Sequence, residues 1–519
     1  MNLLEAYIIM FIASFCSLVI EMVAGRILAP FVGVSIYTWT SIIGVILAGI
    51  SIGAYIGGKL VDRWPSKKTL GILLLLSGIT AIMVIPLTDL VAAYRFPFSL
   101  MWRIFTVTTI IFFIPGCIIG TISPVVVRLT LKDVEGAGNV VGKIYAVSTL
   151  GAIIGTFATG FLLISLMGTR SIIMTMGALL IVTAGVSGAL YKAKKARAIF
   201  VVVVLVALSV AYSFAYKPPL AQGYYFYKES DYYTIKLSKT YSSDGAKDLH
   251  ALILDNLIHS YVCLEDPNHI EYEYERIYAE VMKWRFQPGS GFKTLTIGGG
   301  GYTFPRHMEA SYPKAHIDVV EIDPMVTKVV YDHLGLPTTT RITTYNTDGR
   351  WYVMNCAEKY DVIFTDAYND LSIPYHLTTK EFVAQLKSIM TPDAILMSNI
   401  IDNFQKGSFL PSYIKTLREV FGDRNVYLIS VSPDFQNLRI STFIVMASVR
   451  PLDMAAFDSW LKTHYRKEAK SASAIVSDEL VNKMLTNRYS MVITDNYAPV
   501  DNLVAPVFEE RFGYNRKDR

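Results

Sequence analysis

Residues 294–301 read Thr-Leu-Thr-Ile-Gly-Gly-Gly-Gly, and residues 319–323 read Val-Val-Glu-Ile-Asp. Each stretch is typical of a buried strand; the first runs into a glycine turn and the second into an acidic side chain. Glycines at such a turn let backbone N–H groups come close to a ligand, and an acid after the next strand can accept hydrogen bonds from two ribose hydroxyls. The pair therefore predicts a site for a nucleoside-containing cofactor.

The glycine turn differs from that of nicotinamide sites. It does not follow GxGxxG, because Tyr302 and Phe304 stand where the third glycine would open the helix. Asp348 and Asp366 follow two later predicted strands. A single acid after a strand is more often a helix cap, and a lone glycine run can be only a tight turn. Four consecutive strand ends with suitable residues favour the adenosine of S-adenosylmethionine or of its decarboxylated form.

Predicted strands and helices alternate after residue 293, which indicates a doubly wound, Rossmann-like α/β sheet with its ligand at the carboxyl ends of the strands. The predicted strands are 294–298, 316–322, 341–346, 360–366, 394–400, 425–431 and 441–447. The last two suit an antiparallel hairpin at the sheet edge. Upstream, strand-like runs at 224–227, 232–237 and 249–254, with a turn at 242–245, predict a small N-terminal β cap before a helix at 271–285.

The N-terminal half has the composition of a membrane protein. It holds seven apolar stretches of about 20 residues, each able to cross roughly 30 Å of hydrocarbon as a helix. They fall near 4–24, 37–58, 69–88, 99–121, 144–167, 171–191 and 198–216. We therefore expect a multi-pass α-helical membrane domain over 1–216, a linker and β-hairpin cap over 217–270, and the Rossmann-like catalytic domain over 271–519.

Charge differs between the two halves. Residues 1–216 hold 15 Lys and Arg against 6 Asp and Glu, a net charge of +9, which leaves −4 of the total of +5 for the rest. The basic balance therefore belongs to membrane loops, so we expect membrane lipid and not nucleic acid as a partner. Basic clusters follow stretches two, four and six, and the positive-inside rule puts those loops and the N-terminus in the cytoplasm.

These expectations conflict over the side of the membrane on which the C-terminal domain lies. Seven spans would place the C-terminal domain outside, whereas a cofactor made inside the cell favours a cytoplasmic domain. A broken or re-entrant segment within 99–131, interrupted by Pro115 and Pro124, is one way to reconcile the two. We favour a cytoplasmic catalytic domain on a multi-pass cell-membrane protein.

The sequence gives no sign of a metal site or a disulfide framework. Its four cysteines are Cys16, Cys117, Cys263 and Cys356. No CxxC or Cys/His spacing and no HExxH occur, so we expect no bound metal.

The order of motifs over 225–450 resembles the polyamine aminopropyltransferase family, which includes spermidine synthase. The matching runs are Glu229-Ser-Asp-Tyr232, Leu254-Asp-Asn256, Glu273-Tyr-Glu-Arg276, Ile297-Gly-Gly-Gly300, Val320-Glu-Ile-Asp323, Asp348-Gly-Arg350 and Tyr360-Asp-Val-Ile-Phe-Thr-Asp366. The whole chain is similar to the membrane-fused branch of that family, with further matches at 373–378 (Ile-Pro-Tyr-His-Leu-Thr) and 494–502 (Thr-Asp-Asn-Tyr-Ala-Pro-Val-Asp-Asn).

The resemblance implies that an amine attacks the sulfonium-bound carbon of decarboxylated S-adenosylmethionine and releases 5′-methylthioadenosine. Asp366 would orient the amine and accept its proton, with Tyr232 as a second catalytic residue. The implied cofactor-binding residues are Gly298, Gly299, Gly300, Gly301, Glu321 at the ribose, Asp323, Asp348 at the adenine, Gly349 and Asp366. The implied substrate residues are Asp255, His259, Glu275 and Asp370. The resemblance also leaves a homodimer open.

The chain departs from the family at three places. Soluble members follow their glycines with an acid, in GGGDG, and Gly301 stands in place of that acid. They carry Asp-x-x-Asp after the fourth strand, where this chain has Asn369 or the displaced Asp370 as the second position. His259 stands for a common Gln. In the family the lost acids grip a diamine and the aminopropyl amine, so we expect a retained cofactor pocket and an altered diamine pocket.

Several functions stay open on the sequence. The leading hypothesis is a membrane-embedded transferase with a hydrophobic or lipid-linked acceptor. In a variant without an acceptor, the amine or carboxylate of the cofactor itself attacks and gives a cyclic product. The helices could instead move a polyamine or nucleoside, with the Rossmann-like domain as a sensor; methyl transfer or a catalytically dead binding module also fits the fold.

Overall fold

The computed structural model describes residues 1–33, 35–92, 94, 100–131, 133, 136–187, 223–255, 257–367, 373–465 and 473–512. The chain divides into two compact units, Met1–Pro219 and Leu220–Arg519. The described residues of the first unit form helices, and the second unit is α/β. The fold class expected from the sequence is confirmed.

The first unit is a set of long apolar helices. They are α1 (Leu3–Val32), α2 (Ile36–Arg63), α3 (Lys67–Ala92), α4 (Leu100–Gly120), α5 (Ile122–Thr130), α6 (Ala137–Ala158, continued by a π-helical turn Thr159–Leu163 and a last turn Ile164–Leu166) and α7 (Thr169–Ser187). Within the described part they supply six spans long and apolar enough to cross a membrane: Leu3–Ala29, Ile36–Arg63, Lys67–Val91, Met101–Thr130, Ala137–Leu166 and Thr169–Ser187. The predicted seventh stretch, 198–216, lies outside the described residues.

The predicted interruption within 99–131 falls between α4 and α5. Pro115 lies inside α4, and the helix ends at Gly120, one residue before Thr121. Pro124 lies in the first turn of α5, where a missing N–H costs little. The two helices together make one candidate span.

Small residues allow close packing of these helices. A Cβ at Gly53 of α2 would lie 1.9 Å from the carbonyl oxygen of Cys117 in α4. A Cβ at Gly120 of α4 would likewise lie 2.5 Å from the carbonyl oxygen of Ile50. Close backbone approach at small residues is how helices associate where lipid removes the hydrophobic driving force.

The second unit begins with a four-stranded antiparallel cap sheet. Its strands are β1 (Tyr224–Glu229), β2 (Thr234–Tyr241), β3 (Asp248–Leu254) and β4 (Leu257–Val262), paired in that order. The predicted turn joins β2 to β3: the Ser242 N–H donates to the Lys247 carbonyl at 2.9 Å, and Gly245 takes φ +71°. The sequence did not predict β4.

The main sheet has eight strands in the order β12-β10-β11-β9-β8-β5-β6-β7. They are β5 (Lys293–Ile297), β6 (His316–Val320), β7 (Ile342–Tyr345), β8 (Tyr360–Thr365), β9 (Met390–Asp402), β10 (Val426–Ser430), β11 (Ser441–Ser448) and β12 (Ala474–Val476). The five strands from β7 to β9 are parallel neighbours, and β10, β11 and β12 add antiparallel. The predicted strands and the antiparallel pairing of the last two, β10 and β11, are confirmed. Their position at the edge of the sheet is corrected, because β12, which was not predicted, pairs with the outer side of β10.

Helices cover this sheet, and its central strands are buried. They are α8 (Glu273–Arg285), α9 (Thr303–Ser311), α10 (Pro324–His333), α11 (Gly349–Asn355), α12 (Lys380–Ser388), α13 (Phe409–Phe421), α14 (Met454–His464), α15 (Asp478–Asn487) and α16 (Val500–Phe512). Strand order reverses around β5, because the chain first adds β6 and β7 on one side and then crosses to β8 on the other. The carboxyl ends of strands at such a reversal form the crevice in which doubly wound folds bind ligands.

Candidate active site

The carboxyl ends of β5 and β8 meet at Gly298. This residue has φ +99°, and a Cβ on it would lie 2.4 Å from the backbone oxygen of Asp366. Only glycine permits both the backbone conformation and the approach. The Asp366 N–H donates to the carbonyl of Ile297 at 2.9 Å, so the turn after β5 and the acid after β8 are held side by side.

Glu321 directly follows β6, and its carboxylate accepts hydrogen bonds from the backbone of the glycine turn. Its Oε2 accepts from the N–H groups of Gly299 (2.9 Å) and Gly300 (3.3 Å), and its Oε1 accepts from the Asp323 N–H at 3.0 Å. Burial raises its pKa, against the lowering effect of these backbone hydrogen bonds. A carboxylate offers about four acceptor sites, so a ligand hydroxyl can use the fourth or displace the long bond from Gly300.

Asp348, after β7, caps α11 and contacts a histidine. Its Oδ1 accepts from the Trp351 N–H at 2.9 Å, and its Oδ2 lies 2.9 Å from Nε2 of His376. Burial acts to raise the pKa of Asp348, but the bonds from Trp351 and His376 outweigh it and hold the pKa below the usual range. The role of Asp348 as the N-cap of α11 explains why an acid follows β7. Asp348 also lines the cavity, so it can meet a ligand there.

Asp366, after β8, has one partner on each carboxylate oxygen. The Tyr274 hydroxyl donates to Oδ2 and the Asn399 amide donates to Oδ1, both at 2.8 Å. Burial raises the pKa of Asp366 to about 6, with both hydrogen bonds opposing the shift. The group is therefore ionised at neutral pH but close enough to its pKa to exchange a proton, as a general base requires.

These side chains line one cavity of about 320 Å³ between the cap and the main sheet. Among the sequence-predicted residues it brings together Tyr232, His259, Glu275, Gly298, Gly299, Gly300, Glu321, Asp348, Gly349 and Asp366. Among the described residues, no group of three or more His, Cys, Asp or Glu side chains could hold a metal ion.

Four predicted site residues do not line the cavity or cannot be placed. Asp323 caps α10 by accepting from the Met325 N–H and also accepts from the Ser230 hydroxyl. Asp255 accepts from the Thr234 N–H at 2.9 Å and has φ +52°, so it shapes the link between β3 and β4. Asp370 lies outside the described residues, and Gly301 is turned toward the cap sheet.

The packing around Gly301 explains why this chain has a glycine where the GGGDG pattern has an acid. Its N–H donates to the Ser260 hydroxyl at 2.8 Å. A Cβ at Gly301 would lie 2.6 Å from the Ser260 Cβ and 2.9 Å from Cγ2 of Val262. Strand β4 therefore occupies the space that a side chain at position 301 would need.

The substitution Gly301→Ala is expected to destabilise the protein by about 1–3 kcal/mol, because it forces extra volume into a closed contact. Thermal unfolding of the purified protein measures this. Ser260→Gly, added to Gly301→Ala, should recover part of the loss since it removes the closest atom. Gly289→Ala is the matched control, because no atom lies within 4 Å of its Cβ position. Equal melting temperatures for Gly301→Ala and the control would contradict the steric account.

The sequence interpretation missed four residues of the site: Ser260, Tyr274, Asn399 and His376. Tyr274 and His376 lie inside runs that matched the family, at 273–276 and 373–378, so the signal was present but no role was assigned. Ser260 and Asn399 come from β4 and β9, and only the tertiary fold brings them to the turn and to Asp366.

The C-terminal run 494–502 is joined to the end of the cavity that Asp348 lines. Arg350, in α11, donates two hydrogen bonds to Asp495, at 2.7 Å and 2.5 Å, and one to the carbonyl of His376 at 3.2 Å. The Thr379 hydroxyl also donates to Asp495, at 2.7 Å. We call this set, Arg350, His376, Thr379 and Asp495, the C-terminal clasp; it holds α11 and the 373–378 run against each other beside Asp348.

Asp495→Asn is expected to weaken binding of 5′-methylthioadenosine by roughly 10-fold, because Asn cannot accept both guanidinium hydrogen bonds. The dissociation constant, measured by calorimetry, gives the effect. The dissociation constant of Arg350→Lys should lie between those of Asp495→Asn and the wild type, because Lys keeps the positive charge but cannot make the two parallel hydrogen bonds of a guanidinium group. An exposed Asp→Asn change at Asp458 on α14 is the control. Binding by Asp495→Asn that equals this control would show that the clasp does not position the site.

A family model described as the spermine/spermidine synthase domain matches residues 286–450, which include β5 to β11 and the acids after β6, β7 and β8. This part of the chain is similar to the spermine/spermidine synthase domain. The family resemblance expected from the motifs is confirmed for it, and the helices upstream fit a fused domain.

Polyamine aminopropyltransferases are similar to this chain over part of its length. Over 133 residues the chain is 34% identical to a probable polyamine aminopropyl transferase from Bifidobacterium longum, covering 25% of this chain and 29% of that protein. Over 134 residues it is 31% identical to the polyamine aminopropyltransferase of Vibrio vulnificus, covering 25% and 44%. The chain therefore spans less than half the length of these relatives. A solved structure of a probable spermidine synthase from Corynebacterium glutamicum shares 20% identity at a TM-score of 0.44, covering 51% of this chain and 95% of that one.

Proposed function

We propose that the protein is a membrane-embedded aminopropyltransferase that uses decarboxylated S-adenosylmethionine, transfers its aminopropyl group to a non-standard amine acceptor and releases 5′-methylthioadenosine. The observation that carries the proposal is a row of groups along the carboxyl ends of β7, β6, β5 and β8. These are Asp348, Glu321, the glycine turn and Asp366, and all of them reach one cavity. Neighbouring strands lie about 4.8 Å apart, so the row extends over roughly 14 Å.

The row separates a nucleoside end from a reacting end. Asp348, with its lowered pKa, is ionised at neutral pH and suited to accept from the adenine amino group. Glu321 has an acceptor site left for a ribose hydroxyl beside the glycine turn. Asp366 lies three strands away from Asp348, where the reacting carbon of an extended cofactor would be held.

The charge of the cavity supports the decarboxylated form of the cofactor. Its ionisable lining includes Glu275, Glu321, Asp348 and Asp366, and none of the described lining residues is Lys or Arg. The neighbouring segment 368–372 also contains neither in the sequence. The carboxylate of intact S-adenosylmethionine would enter this acidic, partly buried space without a cationic partner, which is costly. The decarboxylated form brings only positive charges.

The chemistry needs a positioned amine and a proton acceptor. The acceptor nitrogen forms a bond to the carbon attached to sulfur, the carbon–sulfur bond breaks, and its electron pair neutralises the sulfonium to give the thioether of 5′-methylthioadenosine. The attacking amine must be neutral, and the secondary ammonium that it forms carries the same two protons and the positive charge that the sulfonium loses. Asp366 takes one proton, either from the acceptor ammonium before the attack or from the new secondary ammonium after it, and returns that proton to solvent. Alignment and proton acceptance are the contributions required of the protein, because a sulfonium already leaves readily.

The lining beside Asp366 supports an acceptor with an apolar body. Four rings pack there with centroids 4.9–5.7 Å apart: Tyr274, Tyr278, Phe304 and Phe364. His259 and Glu275 are polar residues that also line the cavity. We call these six residues the acceptor compartment. An aromatic wall with few charges favours alkyl segments over a strongly hydrated polyamine.

Product analysis tests the proposed function. The full-length protein in lipid nanodiscs is supplied with S-adenosylmethionine or with its decarboxylated form, with and without alkylamines, and the released nucleoside is identified by mass spectrometry. We expect 5′-methylthioadenosine from the decarboxylated form, at a rate that rises with the amine. Release without any amine would instead indicate cyclisation of the cofactor, and S-adenosylhomocysteine would indicate methyl transfer. Binding of methylthioadenosine without turnover of either form would contradict the proposed activity.

A further inference from the structure

We propose that Ser230 and Asp323 are positioning residues that hold Tyr232 of the cap over the nucleoside end of the cavity. The inference rests on the proposed function, because it needs a nucleoside bound at that end. It gives Asp323 a role in cofactor binding that is exerted through the cap, since this predicted cofactor-binding residue does not line the cavity.

The Ser230 hydroxyl organises the turn that follows β1. Ser230 is 6% exposed, and its hydroxyl accepts hydrogen bonds from the N–H groups of Tyr232 at 3.1 Å and Tyr233 at 2.9 Å. The Ser230 N–H closes the turn by donating to the Tyr233 carbonyl at 2.8 Å. The hydroxyl donates its own proton to the Asp323 carboxylate, a stronger acceptor than the Tyr233 carbonyl 3.1 Å away. The backbone position of Tyr232 therefore depends on Ser230.

Asp323 connects this turn to the acid that the proposed function places at the ribose. Its side chain is buried, and the carboxylate oxygen that does not contact Ser230 accepts from the Met325 N–H at the start of α10. Its own backbone N–H donates to Oε1 of Glu321 at 3.0 Å. The same residue therefore contacts the cap turn with its side chain and Glu321 with its backbone.

Tyr232 lies at the opening of the nucleoside end. It lines the cavity and is 47% exposed, so its ring borders both the ligand space and solvent. Burial and the charges of four nearby carboxylates raise the pKa of its hydroxyl; these are Asp323, Asp231, Asp348 and Glu321. Asp348 and Glu321 are the acids proposed to bind the adenine and the ribose. An aromatic ring beside them can pack on a nucleoside that they hold.

The cap is attached to the main sheet at a second place. Strand β4 is joined to the glycine turn and to α9 through the hydroxyls of Ser260 and Thr303. The contact between Ser230 and Asp323 instead secures the end of β1. Loss of that contact should therefore loosen Tyr232, while the reacting end of the cavity keeps its geometry.

Nucleoside binding and turnover by Ser230→Ala test the inference. Full-length protein in nanodiscs is titrated with 5′-methylthioadenosine by calorimetry, and kcat and KM for decarboxylated S-adenosylmethionine are measured on the same preparation. We expect the dissociation constant and KM to rise about 10-fold, as for loss of a hydrogen bond to a charged group, while kcat changes by no more than about twofold. Ser230→Thr, which keeps the hydroxyl, should recover most of the affinity. Ser238→Ala, on β2 of the same cap and outside the cavity lining, should bind as wild type.

Double-mutant cycles test whether these residues act as one unit. Asp323→Asn should weaken binding about as much as Ser230→Ala, because an amide whose oxygen caps α10 presents only N–H donors to the serine hydroxyl. The double variant should bind no more weakly than either single variant. In a Tyr232→Ala background, Ser230→Ala should weaken binding by no more than about twofold. Losses that multiply in either cycle overturn the inference, and so does binding by Ser230→Ala that equals the Ser238→Ala control.

Hydrogen exchange of the wild type gives a measurement that does not depend on the folding of any variant. The N–H groups of Tyr232 and Tyr233 are bonded to Ser230, and a nucleoside held beneath the Tyr232 ring should steady this turn. We therefore expect saturating 5′-methylthioadenosine to slow exchange in peptides that cover 229–234 by at least about 5-fold. Unchanged exchange in these peptides overturns the inference.

The same preparations separate this inference from the proposed activity. Turnover of decarboxylated S-adenosylmethionine, combined with nucleoside binding that ignores Ser230, overturns only the positioning role. Binding of 5′-methylthioadenosine that depends on Ser230, without turnover of the decarboxylated cofactor, overturns the proposed activity and supports the positioning role. A wild-type protein that does not bind 5′-methylthioadenosine overturns both.

Discussion

Asp366→Asn should lower the rate of 5′-methylthioadenosine release from decarboxylated S-adenosylmethionine by about 1,000-fold, within the range that loss of a general base causes. The amide keeps the shape of the side chain but cannot accept a proton at neutral pH. It can still accept from the Tyr274 hydroxyl, which now bonds to Oδ2 at 2.8 Å. Binding of 5′-methylthioadenosine should therefore change by no more than a few-fold, so the loss appears in kcat.

The pH dependence of kcat/KM is a second test of the role of Asp366. Burial raises the pKa of Asp366 to about 6. Below that pH the carboxyl is protonated and cannot accept a proton, so kcat/KM for the cofactor should fall as pH decreases through about 6 and be level above it. Asp458→Asn, on the exposed face of α14, should keep the wild-type rate and profile. An Asp366→Asn enzyme that retains full activity, or a profile with no acidic limb near pH 6, would contradict the assignment of the base.

The parallel part of the sheet could be predicted from the sequence because its strands are buried on both faces. Leu295 and Ile297 of β5 and Val319 and Val320 of β6 are almost fully buried, which is why these segments read as short apolar runs between turn signals. Each ends in a residue with a separate reason to be there, a glycine with positive φ or an acid. At these positions the local residue pattern and the role of the residue in the fold point to the same structure, so the parallel strands could be predicted from the sequence.

The strands β4 and β12 lacked such a pattern. β4 begins two residues after Asp255, whose backbone has φ +52°, and a tight link of this kind is not signalled by Gly or Pro here. β12 is three residues long and is the edge strand of the main sheet, paired with β10. Three residues are too few to show the alternation that marks a strand, whereas β4 has six residues but no turn signal to separate it from β3.

The candidate site was predictable where it follows strand ends and not where distant elements converge. Glu321, Asp348 and Asp366 follow from topology, because parallel strands bring their carboxyl ends to one edge. Asn399 lies 33 residues from its partner Asp366, and Asp495 lies 145 residues from Arg350. Pairings at that separation are set by the packing of whole elements, which residue patterns do not encode.

Glu321→Gln should weaken binding of 5′-methylthioadenosine by roughly 100-fold, or about 2.7 kcal/mol. Hydrogen bonds to a charged group contribute about 1.5–3 kcal/mol each, so loss of the ribose contact alone accounts for much of this. The substituted amide has a single acceptor oxygen, so it cannot accept from Gly299 and Gly300 on one side and from Asp323 on the other, as the two oxygens of Glu321 do. Some of the loss could then come from a loosened glycine turn, and thermal unfolding of the unliganded variant measures that part.

A ligand lacking one hydroxyl separates the two contributions. In the wild type, 2′-deoxy-5′-methylthioadenosine should bind at least 10-fold more weakly than the parent nucleoside, because the buried carboxylate is left without its partner. In Glu321→Gln the same change of ligand should cost little, since the charged acceptor is already gone. The difference between the two ratios is the coupling energy between Glu321 and the hydroxyl. Equal ratios in both proteins would mean that Glu321 only supports the glycine turn and that another residue holds the ribose; Glu358→Gln, at an exposed site, checks that a charge change elsewhere leaves both ratios unchanged.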